Sequence, residues 1–150
     1  MSNPSESFEC SWRGSRVLLL IYLALLVLAL SSALLLDLPW WGAALAVAAC
    51  AVHALWVVPR QILLTHPSAF SALRRDASGW ALWSEAHGWR AVQLQRDSLA
   101  LPALVVLRWR LAGEHRVRAL CIPRDAMSGE AHRRLRLRLK FSRKRWAAAE

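Results

Sequence analysis

Two kinds of side chain in this chain stand where they could do chemistry. The first are polar groups inside long apolar stretches. His53 lies within WWGAALAVAACAVHALWVV, residues 40–58, and Tyr22 within VLLLIYLALLVLALSSALLL, residues 17–36. Neither stretch contains a formal charge, and Cys50 is the only other titratable group in them. A polar side chain surrounded by hydrocarbon either carries function or must find a partner. His53 stands five residues inward from Val58, and Tyr22 five inward from Val17. In an antiparallel helical hairpin both would lie at one depth, about 8 Å inside the same edge. A Tyr22–His53 hydrogen bond with a structural role is therefore expected, ahead of ligand or proton chemistry.

The second kind are arginines in two arrays. Arg108 and Arg110 alternate with apolar residues, as do Arg116 and Arg118. Further on, Arg134, Arg138, Arg143 and Arg145 belong to a run without an acid between Ala131 and Ala149. Guanidinium groups make bidentate contacts with carboxylate and phosphate. The first array is expected to bind a partner, its four cations sharing one face of a hairpin. The second is expected to meet anionic lipid, where each charge near a leaflet contributes about 1 kcal/mol. Catalysis finds little support. Asp76, Glu85, Asp97 and Asp125 keep no motif spacing with any histidine, and neither a glycine-rich phosphate loop nor HExxH occurs. Cys10, Cys50 and Cys121 form no CxxC or Cys/His cluster, so no metal site or disulfide framework is expected. No cofactor is expected either.

The elements that position these groups follow from patterning. Each apolar stretch is long enough to cross a bilayer core of roughly 30 Å. Asp37-Leu38-Pro39 leaves room only for a tight turn, so residues 17–58 read as a transmembrane hairpin. The first stretch is too long for the apolar core of a signal peptide. Trp12, Arg13, Trp40, Trp41 and Trp56 stand at its ends, where interfacial anchors belong. Arg13, Arg16 and Arg60 flank the open ends, and the turn has no Lys or Arg. The positive-inside rule then puts both termini in the cytoplasm. Small residues Gly42, Ala46 and Cys50 recur at helical spacing and are expected to face Ala24, Leu28, Ser31 and Ser32, or a second copy of the chain.

Residues 1–16 read as a polar, mostly disordered tail. Residues 59–150 carry eighteen Lys or Arg against seven acids, a net +11 (18 − 7). That balance calls for an anionic partner: lipid, an acidic protein or nucleic acid. Nucleic acid is disfavoured, because no recognised binding signature is present and a membrane tether restricts access. Within this segment the period becomes two. Trp80–Trp83 and Ala91–Leu94 flank a turn at residues 85–88, and Val105–Leu111 and Val117–Cys121 flank another at 112–115. Phe70–Arg74 can add a strand. RLRLRLKF at 134–141 alternates like a strand, yet residues 126–150 contain no β-branched residue and many helix formers. A helix is expected, with Asp125 or Ser128 as N-cap and Ala131, Leu135, Leu139 and Trp146 on one face.

This layout resembles the YgfX family of bacterial inner-membrane proteins, also called the CptA toxin family. The resemblance rests on Ser11-Trp12-Arg13 before the first span, the short turn of the hairpin, Gly79-Trp80 and Gly88-Trp89, and Asp125-Ala126-Met127 before an Arg/Leu-rich helix. It implies an inner-membrane toxin that acts by protein–protein contact on tubulin-like and actin-like cytoskeletal proteins of cell division. It also implies a small acidic antitoxin partner of the flavinylation-factor type. A lipid-binding or scaffolding module without toxin activity is the alternative. The expected fold is a membrane protein of α+β class: a two-helix transmembrane hairpin, then a small antiparallel β-rich cytoplasmic domain with a C-terminal helix.

Overall fold

A computed structural model describes residues 7–146, with side chains through Phe141. The chain begins with strand β1 (Phe8–Ser11), followed by helices α1 (Arg16–Leu35) and α2 (Trp40–Val57). A π-helical turn (Val58–Ile62) extends α2. Then come β2 (Phe70–Asp76), β3 (Gly79–Ser84), β4 (Gly88–Leu94), β5 (Leu99–Ala100), β6 (Leu104–Leu111) and β7 (Val117–Pro123). A 3₁₀ turn (Arg124–Ala126) leads into α3 (Gly129–Trp146).

The two apolar helices bury none of their residues within the protein. Leu20, Leu25, Val27, Leu34, Val52 and Leu55 are all widely exposed. So much apolar surface on two helices long enough to span a bilayer calls for a hydrocarbon solvent. The small-residue stripe of α2 is its half-covered side: Gly42, Ala46, Cys50 and Ala54. On α1 the corresponding residues are Tyr22, Leu26, Leu30 and Ala33, not Ala24, Leu28 and the serine pair. Ser31 and Ser32 instead bond back to the carbonyls of Val27 and Leu28, at 2.8 and 2.6 Å. That local satisfaction frees them from needing a partner across the hairpin. Pro59 follows the second apolar stretch directly. The helix passes it by widening: Leu63 N–H reaches Val58 O, five residues back, at 2.8 Å. A wider turn relieves the proline ring's clash with the preceding turn and absorbs its missing donor.

The remaining strands form one antiparallel sheet in the order β1-β2-β3-β4-β6-β5, with β7 on the other side of β6. The expected hairpins are present as β3–β4 and β6–β7. The sheet curls around Leu73, Leu82, Val105, Leu107, Trp109 and Ile122. Leu135 and Leu139 of α3 close this core. Each such aliphatic side chain contributes about 1.5–3 kcal/mol on burial. Ser128 caps α3, its Oγ accepting from Ala131 N–H at 3.3 Å. His132 is buried beside them, and burial, with Arg136 nearby, lowers its pKa below the ordinary 6.5, against a backbone hydrogen bond at Ile122 that raises it. Trp146, expected on the same face, lies outside the described side chains.

The N-terminal segment departs from expectation. Phe8–Ser11 is a strand, paired antiparallel with β2 through Cys10↔Leu73 and Ser11↔Ala72. Phe8, Cys10 and Trp12 alternate inward, and this short period-two run drives the ordering. Burial pushes the Cys10 thiol up to about 12, with a Leu73 backbone hydrogen bond opposing and the Glu9 charge adding. Cys10 therefore behaves as a small core residue, inert as a nucleophile.

Candidate functional site

Where the hairpin meets the sheet, chain segments more than a hundred residues apart come together. Ser15 caps α1, its Oγ accepting from Leu18 N–H at 3.0 Å. The same hydroxyl donates to the Asp125 carboxylate, at 2.8 and 2.9 Å from its two oxygens. Asp125 Oδ2 also accepts from Val17 N–H at 3.2 Å. A carboxylate thus sits at the positive end of the first membrane helix, where the helix dipole favours an anion. Arg13 N–H donates to Ala126 O at 2.8 Å, and Ser15 N–H to Ile62 O at 3.2 Å. Gly14 lies so close to the π turn that a Cβ there would stand 2.7 Å from Leu63 O and 2.9 Å from its Cα. Leu64, just beyond, takes a left-handed backbone (φ 54°), a strain of about 1–3 kcal/mol, with its side chain packed against the sheet core. The joint is a hydrogen-bonded lock between membrane hairpin and sheet domain.

Trp12 belongs to this lock, which corrects its expected role as an interfacial anchor. Its side chain is 4% exposed within the sheet core, and Nε1–H donates to Phe70 O at 3.1 Å. A single indole cannot both fill the core and sit at headgroup level, and the apolar alternation with Phe8 and Cys10 turns it inward. Arg13 remains exposed beside it. Trp40 and Trp41 are exposed at the turn end of α2. Trp56 is exposed at the other end, with the Arg60 guanidinium 5.1 Å from its ring centroid. Along α2 these ends stand about 24 Å apart by the helical rise.

The structure brings Tyr22 and His53 together: Tyr22 Oη is 2.8 Å from His53 Nδ1, and the rings stack with centroids 5.9 Å apart. Each supplies the polar partner the other lacks in hydrocarbon. Changing Tyr22→Phe or His53→Leu orphans the survivor. In a double-mutant cycle read by unfolding in detergent, we expect a coupling of about 0.6 kcal/mol, with an upper range near 1.7. Strictly additive effects would show that the contact contributes no coupling.

The four arginines expected on one face of β6–β7 do not share one. The register pairs Arg108 with Ala119, Arg110 with Val117 and Trp109 with Arg118. Arg108 and Arg110 therefore project from one face, and Arg118 from the opposite face, over the Trp109 ring at 5.6 Å. Arg116 precedes β7 and is exposed. Leu120 and Ile122 point inward, and burying them outweighs burying Val117, Ala119 and Cys121. Two of the four charges are paired with acids, and a third guanidinium is held by a neutral amide. Arg108 pairs with Asp97, Arg110 donates to Gln93 Oε1 at 2.9 Å, and Arg118 pairs with Glu114 at 3.1 Å.

In the second array, Arg134 pairs with Glu130, and Arg138 lies over the Phe8 ring at 5.6 Å. Arg143 and Arg145 fall in α3 but outside the described side chains. Arg134 and Arg138 line an open groove of about 1740 Å³ between β1 and α3, near the start of α1. Sequence reasoning missed both the groove and the Asp125 lock. Ser15 and Asp125 each signal a cap, but nothing local indicates that the carboxylate caps the other residue's helix.

Neither curated proteins nor solved structures gave a match. The family comparison matched residues 6–143 to the CptA toxin family, described as the membrane-bound toxin component of a toxin–antitoxin system. That span takes in the hairpin, the sheet, and the joint in which Ser11-Trp12-Arg13 and Asp125-Ala126-Met127 meet. The chain belongs to this family of membrane-bound toxins.

Proposed function

We propose that this membrane-bound toxin acts by protein–protein contact, without catalysis, from the cytoplasmic face of the bacterial inner membrane. Its targets are the tubulin-like and actin-like proteins of cell division. A small acidic antitoxin of the flavinylation-factor type holds it in check. The observation that carries this reading is the charge of the domain locked to the hairpin, +11 over residues 59–150. A basic surface fixed beside a membrane favours acidic partners and speeds their capture. Arg13, Arg16 and Arg60 stand at the domain end of the hairpin, while its turn carries only Asp37 as a formal charge, which supports cytoplasmic termini.

Growth and division of a bacterial host expressing the chain test the reading. Expression should halt division and yield misshapen cells. Co-expression of the acidic partner should restore growth, and the two should co-purify at low salt and separate at high salt. A reporter active only in the periplasm should stay silent when fused after Glu150. Normal division on expression, or a strongly active reporter, would overturn the reading.

A further inference from the structure

The groove between β1 and α3 has the geometry of a strand-addition site. Trp12 N–H bonds Ser71 O across β1–β2, and the register runs from Phe8↔Arg75 to Ser11↔Ala72. In an antiparallel pair, bonded residues alternate with residues that direct N–H and C=O to the other side. Phe8, Cys10 and Trp12 therefore bond β2. Glu9 and Ser11 turn their backbone groups outward, and β1 stands at the end of the sheet order. Such an edge is a template for another strand.

The opposite wall is one face of α3. Glu130, Arg134, Leu137, Arg138 and Phe141 recur at helical spacing along the groove, while Leu135 and Leu139 on the other face fill the core. Leu137 and Phe141 are 44% and 63% exposed, apolar surface without cover in the described structure. At about 1740 Å³ the groove exceeds the roughly 300–1,000 Å³ of small-molecule sites. An edge strand facing a helix across an open groove is the arrangement that takes an extended peptide as an added strand.

Charge selects the kind of peptide. Of the three acids in the lining, Asp125 and Glu130 are already engaged, by Ser15 and Val17 and by Arg134, which leaves Glu9. Arg13 and Arg16, also in the lining, are exposed and make no ion pair among the described residues. We infer that this groove binds an extended acidic segment of a partner protein as an antiparallel or parallel strand on β1. Backbone bonds to Glu9 and Ser11 hold it, its apolar side chains meet Leu137 and Phe141, and its carboxylates meet Arg13 and Arg16. The inference rests on the contact reading above and gives it a location.

The probe is a fluorescein-labelled nonapeptide of alternating valine and glutamate, titrated by anisotropy into the full chain in neutral detergent. Methylating alternate peptide nitrogens, with the charge unchanged, should weaken binding about tenfold or more in one of the two alternate patterns, because strand bonds need those N–H groups. Ser11→Pro removes an outward N–H and no bond to β2, and should weaken binding similarly, while Ser11→Ala should not. Arg13→Gln with Arg16→Gln should also weaken it, and a valine–lysine peptide should bind at least about tenfold less tightly. Equal affinity of the methylated and unmethylated peptides would overturn strand addition. So would displacement by phosphatidylglycerol vesicles together with indifference to methylation, which would make the groove a lipid site. A chain that binds the peptide as expected yet leaves division untouched would overturn the proposed action on division proteins alone.

Discussion

Trp12→Ala is expected to cost the sheet domain about 3–5 kcal/mol, the range for deleting a buried large aromatic. Against a total stability of about 5–15 kcal/mol, that is roughly a fifth or more of what holds such a domain folded. The indole packs in the common core with Cys10 and Leu73, and its Nε1–H bonds Phe70 O at 3.1 Å. The membrane hairpin buries no residue in this core and should remain helical. The measurement is proteolysis of detergent-solubilised protein over a urea series. The midpoint for cleavage within residues 70–123 should fall sharply, with far-UV helix signal largely retained. Trp12→Phe keeps most of the packing and loses the hydrogen bond, so it should cost less, about 1 kcal/mol from the bond. An interfacial anchor would behave oppositely: membrane retention would weaken while the cleavage midpoint stood still. That result would remove Trp12 from the core.

Gly14→Ala carries the second-largest expected effect, although it adds one methyl group. The added carbon would stand 2.7 Å from Leu63 O, 2.9 Å from its Cα and 3.0 Å from its carbonyl carbon. All three are backbone atoms of the segment that leaves the π turn, so no side-chain rotation makes room. Overpacking of this kind costs about 1–3 kcal/mol. Relief by separation would break the Ser15 N–H bond to Ile62 O and pull Ser15 from Asp125. Each bond lost adds about 1 kcal/mol. Asp125→Ala, which removes the cap and leaves the close approach intact, should cost less, about 0.5–2 kcal/mol. Hydrogen exchange reads both variants. Amides of Arg13, Ser15 and Val17 should lose protection in Gly14→Ala, and chiefly Val17 in Asp125→Ala. Protection in Gly14→Ala equal to the parent would mean that the two segments are not pressed together.

The lock has a mechanical consequence for a membrane-bound toxin. Asp125 lies between β7 and α3, yet it holds the first turn of α1. Through that carboxylate the end of β7 is tied directly to the membrane hairpin. The groove between β1 and α3 opens beside that same turn, so a strand bound there would lie next to the membrane surface.

By itself the sequence determined the hairpin, because twenty uncharged residues, a three-residue turn and nineteen more leave the chain one way to satisfy its backbone in lipid. It determined the two strand pairs flanking turns at 85–88 and 112–115, because alternation and a short glycine-containing loop are local signals. The absence of β-branched residues made 129–146 a helix despite its strand-like RLRLRLKF. The depth of Tyr22 and His53 was also legible, since helical rise is constant. Tertiary structure decided the rest. Which residues of β7 face inward depended on Leu120 and Ile122 outweighing Val117, Ala119 and Cys121, and that choice split the arginines between two faces. Trp12 carried the same signal as an interfacial tryptophan until β2 offered it a core. Ser15, Gly14 and Asp125 each have an ordinary local explanation. Only the fold, by closing a separation of 110 residues, makes them one joint.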